Sequence, residues 1–227
     1  MIDPRPYHAL AVLVSYPRDG YGLAWLNAIE LLDGSDPDLA ALLDRFLEET
    51  RTLTRDDVEE LYTRAFDLNP AVTLDLGHHL WGDAYERGRF LAKMRERLEE
   101  AGICEDGELP DHLTSLLRFI PCLMDDLRDW WVNQYPLMAL DAMKGPLETI
   151  ESPYRHLLDV VREFLRRHHP LTPSMSLMQL RPIPRDVTPD DSDPLDALAS
   201  AGAGIPFTDS EAGPERAGVT AVAEVPR

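Results

Sequence analysis

The chain has 227 residues and a formal net charge of −19, from 22 basic and 41 acidic residues, so it is strongly acidic. This charge argues against non-specific binding to nucleic acid phosphates and against attraction to anionic membranes. Its two cysteines, Cys104 and Cys122, form no CxxC pair, which leaves a zinc site, a thioredoxin-type motif and a disulfide framework without support.

The N-terminal segment is apolar only over a short stretch. It lacks the basic region typical of a signal peptide, and its apolar run over residues 9–14 is much shorter than the ~20 residues needed to cross a bilayer. We therefore expect a soluble, cytoplasmic protein that does not insert into a membrane. The same run predicts a first short helix, which Pro17 stops.

The next two predicted helices are separated by a Gly-Ser-Asp-Pro sequence. Gly34 lies where a glycine commonly ends a helix, Ser35 or Asp36 is expected to cap the following helix, and Pro37 to occupy its first position. Apolar residues recur at helical spacing on both sides of this boundary, at Leu23, Leu26, Ile29 and Leu32 before it and at Leu39, Leu42, Leu43, Phe46 and Leu47 after it.

Two capping boxes are predicted farther along the chain. Thr54 with Asp57 predicts the start of a fourth helix whose apolar face ends at Phe66, and Asp83 with Glu86 predicts the start of a long helix. With no alternating strand pattern and no Asn-Gly hairpin, the sequence predicts an all-α fold, a single bundle of roughly eight to ten helices.

Prolines divide the second half of the helical region. Pro110 and Asp111 are expected to open a helix that ends or kinks at Pro121. Pro136 and the Gly-Pro pair at residues 145–146 are expected to break the helical stretch of residues 123–150 into pieces.

The composition changes after the last predicted helix, which Ser152 is expected to cap and Pro153 to open. Residues 170–227 are rich in Pro, Gly and Asp, and their nine acidic residues and four arginines give a net charge of −5. This segment holds too little apolar surface to offset chain entropy, so we expect a disordered acidic tail. Residues 1–169 are expected to form the folded domain.

A short helix is predicted over residues 73–80, and it contains two adjacent histidines, His78 and His79. Asp75, His79 and Asp83 would share one face if the helix continued through the following glycine, a spacing that a metal could use. The chain has no HExxH motif and no pair of ExxH motifs, so a helix-capping or packing role and a role in partner binding stay open beside the metal site.

Three further polar residues, Glu108, Asp111 and His112, occupy the loop before the next helix. An Asp–His pair is compatible with catalysis, but no nucleophile motif such as GxSxG accompanies it. A capping role is the simpler interpretation for Asp111. Taken singly, each of these residues is most simply structural, and none of them is predicted to be catalytic.

Aromatic residues mark two other helices. Tyr62 and Phe66 share one helix face, most simply a core face, and Asp67 follows at the helix end, where an acid opposes the helix dipole. The side chains of Trp130 and Trp131 project ~100° apart on one helix, so both cannot face inward. One of them is expected to line an apolar groove or to be covered by a neighbouring helix.

Taken in order, these residues resemble the NarJ family of assembly chaperones, within the wider TorD-like group. The resemblance rests on five short motifs spread over about residues 7–169. They are L-x-S-Y-P at Leu13, Ser15, Tyr16 and Pro17; Y-x-x-x-F-D at Tyr62, Phe66 and Asp67; H-x-x-G-[DE]-x-x-x-R-G at His79, Gly82, Asp83, Arg87 and Gly88; L-P-D-H-L at residues 109–113; and S-P-Y at Ser152, Pro153 and Tyr154.

The resemblance implies a TorD-like helical fold and a role in the assembly of respiratory nitrate reductase. The chaperone would bind the N-terminal basic and apolar segment of the catalytic subunit and hold it until the molybdenum–bis(molybdopterin guanine dinucleotide) cofactor is inserted. It would not be part of the finished enzyme and would bind no cofactor stably itself. Contact with cofactor-delivery proteins is a further expectation.

The peptide-binding residues are predicted from the motifs and from the residue chemistry. An apolar groove with an acidic rim suits a basic, partly apolar helix, with aromatic residues as anchors. The predicted set comprises Tyr62, Phe66, Trp81 and Tyr85 for apolar contact, Asp67, Asp83, Glu108 and Asp111 for cationic contact, His112 for orienting the loop, and His79 and Arg87 from the second motif.

Three alternatives stay open. The first is a chaperone of the same fold for another molybdoenzyme, of the dimethyl sulfoxide, trimethylamine oxide or formate type. The second is a helical metalloprotein that uses Asp75, His78, His79 and His112. The third is an acidic scaffold protein without peptide selectivity.

Overall fold

A computed structural model describes residues 2–33 and 37–170 of the chain. Over these ranges the all-α prediction is confirmed, since the chain forms ten α-helices and only one isolated two-residue β-bridge. The helices are α1 Arg5–Leu13, α2 Tyr21–Asp33, α3 Pro37–Thr50, α4 Arg55–Tyr62, α5 Leu76–Trp81, α6 Tyr85–Glu100, α7 Leu113–Phe119, α8 Asp125–Gln134, α9 Pro136–Glu148 and α10 Tyr154–His168.

Some predictions fall on residues that the structure does not describe. The capping roles of Gly34, Ser35 and Asp36 lie outside the described residues, as does the predicted disordered tail beyond Pro170. In the described part of the chain, no helix is both long and apolar enough to cross a bilayer.

Local capping signals define several helix ends as predicted. Thr54 caps α4 in a capping box, in which the Asp57 N–H donates to Thr54 Oγ1 at 3.3 Å and the Thr54 N–H donates to Asp57 Oδ2 at 2.9 Å. Pro37 and Pro136 are the first residues of α3 and α9, where a missing N–H costs nothing. Pro121 lies in a short 3₁₀ turn, Ile120–Cys122, that follows α7.

Two predicted helix starts near the centre of the chain are wrong. The short helix begins at Leu76 rather than at residue 73. The second predicted capping box does not form, because α6 begins at Tyr85 with Ala84 as its cap residue and no side chain caps it. The reason is that Gly82 adopts a φ of +58°, which ends α5 and turns the chain before Asp83 can reach the first turn of α6.

Three further helix boundaries differ from the prediction. α4 ends at Tyr62 and continues as a π-helical turn, Thr63–Asp67. α7 begins at Leu113 with His112, not Asp111, as its cap. α9 runs through the predicted Gly-Pro break, because Pro146 lies in its last turn.

The final helix differs from its predicted start by one residue. α10 begins at Tyr154 with Pro153 as the cap residue, while Ser152 Oγ accepts a hydrogen bond from the Tyr154 N–H at 3.4 Å. The predicted buried face of α10, including Leu157, Val161 and Phe164, is buried in the structure.

The helices pack around a core rich in aromatic side chains. α1 packs against α2 and α7, α10 packs against α3 and α9, and α5 packs against α6 and α9. At the centre, the ring of Tyr154 lies with its centroid 5.2 to 6.4 Å from the rings of Trp25, Phe46, Tyr62 and Phe66. All five side chains are buried, and we call this set the aromatic core. Each such ring pair adds ~0.5–1.5 kcal/mol to the effect of area burial.

A buried polar contact joins the two ends of the helical domain. The Asp129 carboxylate only accepts, so His169 Nδ1–H donates to it at 2.8 Å, and His169 Nε2 therefore accepts from the Tyr7 hydroxyl at 2.8 Å. Asn133 Nδ2 also donates to the His169 carbonyl at 2.9 Å. Through these bonds His169 is tied to α1 and α8.

Candidate functional site

Two loop-to-helix junctions that are far apart in sequence meet in one place. The Leu76 N–H donates to the Asp111 carbonyl at 3.0 Å, and the Leu113 N–H donates to the Leu74 carbonyl at 2.8 Å. These two bonds form an antiparallel bridge between Asp75 and His112. The bridge sets the N-termini of α5 and α7 side by side, so two of the family-like motifs become one structural unit.

Asp111 is the buried centre of this unit. Its side chain is inaccessible to solvent, and Oδ2 accepts from the Gly77 N–H at 3.1 Å and from Arg87 Nε at 3.2 Å. Arg87 Nη2 also reaches Asp75 Oδ2 at 3.4 Å. Desolvation, followed by the charge of Asp75, raises the pKa of the Asp111 carboxyl, whereas Arg87 lowers it. We call Asp75, Arg87, Asp111 and His112 the polar junction.

The close approach at this point requires a glycine. A Cβ placed on Gly77 would lie 2.5 Å from Asp111 Oδ2, which is nearer than side-chain carbons come to oxygens. The Gly77 N–H can therefore reach the carboxylate only because residue 77 has no side chain. Asp111 thus positions the two helices, and in this conformation its carboxylate is closed to a partner.

His112 caps α7 through its ring. Its Nδ1 accepts from the Thr114 N–H at 3.4 Å and lies 2.8 Å from Thr114 Oγ1. Burial, with a smaller effect of the Arg118 charge, lowers the pKa of His112 to about 4, so the ring is neutral near pH 7. Because Nδ1 accepts, Nε2 carries the proton, and no described residue hydrogen-bonds to it.

A cavity of about 240 Å³ opens beside His112. One wall is the connection between α1 and α2, and the other is the loop before α7 together with the first turns of that helix. The lining residues are Val12, Ser15, Tyr16, Arg18, Asp19, Gly20, Tyr21, Ala24 and Trp25 on the first wall and Asp106, Glu108, His112, Thr114 and Arg118 on the second.

Glu108 is the carboxylate that lacks a partner in this cavity. Its half-buried side chain makes no hydrogen bond or ion pair with the described residues. Burial is the largest cause that raises the pKa of Glu108, and the charges of Asp75 and Asp67 raise it further, while Arg18 lowers it. The π-helical turn ends at Asp67, which is exposed. Glu108 therefore lies near two other carboxylates, those of Asp67 and Asp75, and near one cation, Arg18.

The structure divides the remaining predicted residues between the core and a separate surface. Tyr62 and Phe66 are only 2% and 3% exposed and belong to the aromatic core, which agrees with the simpler interpretation of their spacing. Trp81 is half-buried and packs on Phe90 and Tyr135, with ring centroids 4.8 and 6.0 Å away. Their predicted contact with a peptide stays a prediction.

The turn between α5 and α6 is the most open part of the predicted set. Asp83 is exposed, and Tyr85 is 82% exposed. Trp131 is fully buried, whereas Trp130 is half-buried and lies against the ring of Tyr135, so the two tryptophans diverge as predicted.

The residues of the alternative metal hypothesis have other partners. His79 Nε2 lies 2.8 Å from the Thr73 carbonyl, and Asp75 pairs with Arg87. Burial lowers the pKa of His79 and raises that of Asp75. Among residues 2–33 and 37–170, no three His, Cys, Asp or Glu side chains are grouped so that they could hold a metal ion.

Comparison with known families agrees with this arrangement. The family model described as nitrate reductase delta subunit matches residues 32–170, more than half of the chain. The chain belongs to the nitrate reductase delta subunit family. The NarJ-like resemblance is thereby confirmed, and this family consists of chaperones for molybdenum cofactor insertion rather than catalysts. None of the curated proteins compared with the chain matches it.

The delta subunit family model matches from residue 32 onward, so the residues of the first cavity wall precede the matched region. Tyr16, Arg18 and Trp25 line the cavity but precede residue 32, and the sequence prediction did not include them in the site. The signal that could have identified them is the motif L-x-S-Y-P, which contains Ser15 and Tyr16.

Proposed function

We propose that this protein is a cytoplasmic chaperone dedicated to respiratory nitrate reductase. It binds the N-terminal basic and apolar segment of the catalytic subunit and holds that subunit until the molybdenum–bis(molybdopterin guanine dinucleotide) cofactor is inserted. It then leaves the assembled enzyme, and it performs no catalysis. Contact with the proteins that deliver the cofactor belongs to the same proposal.

The observation that carries the proposal is the unpaired carboxylate of Glu108 at the cavity. The Glu108 carboxylate is half-buried, has no hydrogen bond or ion pair within residues 2–33 and 37–170, and lies close to Asp67 and Asp75, with only Arg18 to offset them. An incoming cation would stabilise its charged form. The whole chain carries a net charge of −19, which raises the rate of encounter with a basic segment. Both features support a basic client segment.

The predicted contact residues separate into different roles under this proposal. Glu108 and Asp67 contact the basic side chains, while Asp111 and Arg87 hold the two helix ends that form the site. Asp83, Tyr85 and Trp81 offer a second contact at the turn between α5 and α6. Tyr62 and Phe66 support the site from the core.

Calorimetric titration tests this proposal with a peptide that copies the first ~30 residues of the host's nitrate reductase catalytic subunit, a length suited to one groove-bound helix and its flanks. We expect saturable one-to-one binding. The double variant Asp67→Asn/Glu108→Gln should bind about tenfold more weakly, equivalent to ~1.4 kcal/mol.

The control removes the same charge elsewhere. Glu96 and Glu99 are exposed on α6, so Glu96→Gln/Glu99→Gln should change the affinity by less than about twofold, because exposed charges are screened by salt. If both double variants weakened peptide binding equally, the affinity would depend on the net charge of the protein and not on Asp67 and Glu108. If the folded protein did not bind the peptide, the assigned client segment would be wrong. Leader peptides of dimethyl sulfoxide, trimethylamine oxide and formate enzymes are titrated in the same way for comparison.

A further inference from the structure

An aromatic surface lies at the corner between α8 and α9. The ring of Tyr135 is buried at this corner, and the half-buried rings of Trp81 and Trp130 each have their centroids 6.0 Å from it. Met138, three residues after Tyr135, is 50% exposed. We call Trp81, Trp130, Tyr135 and Met138 the aromatic corner. Apolar side chains that cover it remove apolar area from water, which is favourable.

The last described helix, α10, ends beside the two helices that form this corner. The His169 carbonyl accepts from Asn133 Nδ2 of α8 at 2.9 Å. Arg166 Nη2, near the end of α10, donates to Asp141 Oδ1 of α9 at 2.6 Å. The end of the described chain is therefore held against both α8 and α9.

The chain that follows Pro170 starts close to the aromatic corner. Asn133 and Trp130 are three residues apart on α8, and Asp141 and Met138 are three residues apart on α9, so each pair occupies neighbouring positions on one helix surface. Ten residues span up to ~33–36 Å when fully extended. Residues 171–180 can therefore reach the corner without a linker.

Residues 171–185 lie outside the described residues, and their composition differs from that of the rest of the chain. None of residues 171–180 is charged, and five of these ten are apolar: Leu171, Met175, Leu177, Met178 and Leu180. Residues 181–185 add two arginines and no acid, so residues 171–185 carry a charge of +2 in a chain whose net charge is −19. The segment is apolar and basic, and it is tethered to an acidic domain.

The chemistry of the segment matches that of the corner. Methionine is flexible and polarizable, and its sulfur packs favourably against aromatic rings. Asp83, two residues after Trp81, is exposed, and Glu86 lies in the first turn of α6. These carboxylates give the corner an acidic edge that attracts the two arginines of the segment.

We propose that residues 171–180 of this chain cover the aromatic corner of the free protein. Met175 and Met178 pack against the rings of Trp81 and Trp130. Because the segment is tethered beside the corner, its effective concentration is in the millimolar range, and a weak intrinsic affinity is enough to keep it bound. The corner is therefore an interaction surface that the protein occupies with its own chain.

The first test removes the apolar side chains of the segment from the full-length protein. In Met175→Ser/Met178→Ser/Leu180→Ser, we expect the indole N–H signals of Trp81 and Trp130 to shift in NMR spectra, because their rings lose their cover. The signals of the two buried tryptophans should stay in place and show that the fold is intact. Unchanged signals of Trp81 and Trp130 would overturn the proposal.

The matched control lies farther along the tail. Leu195→Ser/Leu198→Ser removes apolar side chains from a part of the tail that is acidic, and it should leave all four indole signals unchanged. If this control shifted Trp81 and Trp130 as much as the triple variant does, the cover would not belong to residues 171–180.

A free peptide tests whether the contact is specific and lies within one molecule. A peptide that copies residues 171–185 should return the indole signals of the triple variant to their wild-type positions. The same peptide with serine in place of Met175 and Met178 should bind at least fivefold more weakly, and equal binding of the two peptides would contradict the methionine contact. In the wild type, the signals should not change on dilution. A change on dilution would assign the segment to the corner of a second copy.

The consequence for the client rests on the proposed function, which assigns Trp81 to the client segment. If the client and residues 171–180 compete for the corner, the triple variant should bind the client peptide at least threefold more tightly than the wild type, and Leu195→Ser/Leu198→Ser should bind it equally. Shifted indole signals with unchanged client affinity would overturn the competition but not the contact. If the client peptide bound none of these proteins, the assigned client would be wrong and the contact would stand.

Discussion

The polar junction and the aromatic core are both buried, but they hold the chain in different ways. In the junction, Asp111 binds Gly77 and Arg87 through bonds of defined direction. In the core, four rings around Tyr154 bury area in edge-to-face and tilted arrangements. Area burial is non-directional, whereas a hydrogen-bonded carboxylate fixes the groups around it.

Each of the two regions also contains one unpaired polar atom. The Tyr154 hydroxyl is buried in the core without a hydrogen-bond partner among the described residues, and so is Oδ1 of Asp111 in the junction. The regions differ in what the same side chain does besides: the second oxygen of Asp111 accepts from Gly77 and Arg87, whereas the Tyr154 side chain has no hydrogen bond to lose among the described residues. Removing the polar atom should therefore have opposite consequences in the two regions.

The largest effect is expected for the charged centre of the junction. Asp111→Ala leaves Arg87 and the Gly77 N–H without their buried acceptor, and we expect a loss of ~3–5 kcal/mol in the free energy of unfolding. Urea unfolding followed by circular dichroism measures it. The exposed Asp44→Ala in α3 is the control and should stay within ~0.5 kcal/mol. A loss below ~1 kcal/mol for Asp111→Ala would remove the distinction between the two regions.

The next effect is a pH dependence that belongs to His112. Its pKa is lowered from 6.5 to about 4 in the folded protein, so the unfolded chain binds more protons between these values and acid favours unfolding. Stability attributable to His112 is complete above pH 6.5 and falls by ~3 kcal/mol as the pH decreases to 4. His112→Asn keeps a capping side chain but does not titrate, so its unfolding free energy should lack this loss.

The carboxyls of the junction and that of Glu108 do not disturb this comparison. Burial raises the pKa of Asp75, Asp111 and Glu108, so each gains stability as the pH falls towards its unfolded value, in the wild type and in the variant alike. The difference in unfolding free energy between the wild type and His112→Asn therefore reports the titration of His112 alone. Parallel stability curves from pH 7 to pH 4 would show that His112 is free to protonate in the folded state.

The smallest effect is expected in the aromatic core. Tyr154→Phe removes a hydroxyl that has no partner, so the free energy of unfolding should stay unchanged or rise by up to ~1 kcal/mol. Tyr7→Phe is the matched change at a bonded hydroxyl, and it should cost ~1–2 kcal/mol because His169 Nε2 loses its donor. Equal costs at both positions would indicate that the Tyr154 hydroxyl has an unseen partner.

Local sequence signals predicted the helices and many of their ends. The capping box of Thr54 and Asp57 depends on residues three apart, and Pro37 and Pro136 act at their own positions, so these features needed no tertiary information. The motif L-P-D-H-L likewise predicted that Asp111 and His112 lie at a loop-to-helix junction, and they do. In contrast, the predicted start of α6 failed because the backbone conformation of Gly82 overrides the side-chain pattern.

The sequence by itself determined the all-helical fold, the family and the acidic character of the chain, because periodicity, motifs and charge are local or additive properties. Only the tertiary structure decided which carboxylates are paired inside the protein and which are not. It pairs Asp111 with Arg87 inside the protein and leaves Glu108 unpaired at a cavity. The physical reason is that burial and pairing depend on residues such as Tyr16 and Trp25, which lie far away in sequence and are brought close only by the packing of α1 and α2 against the bundle.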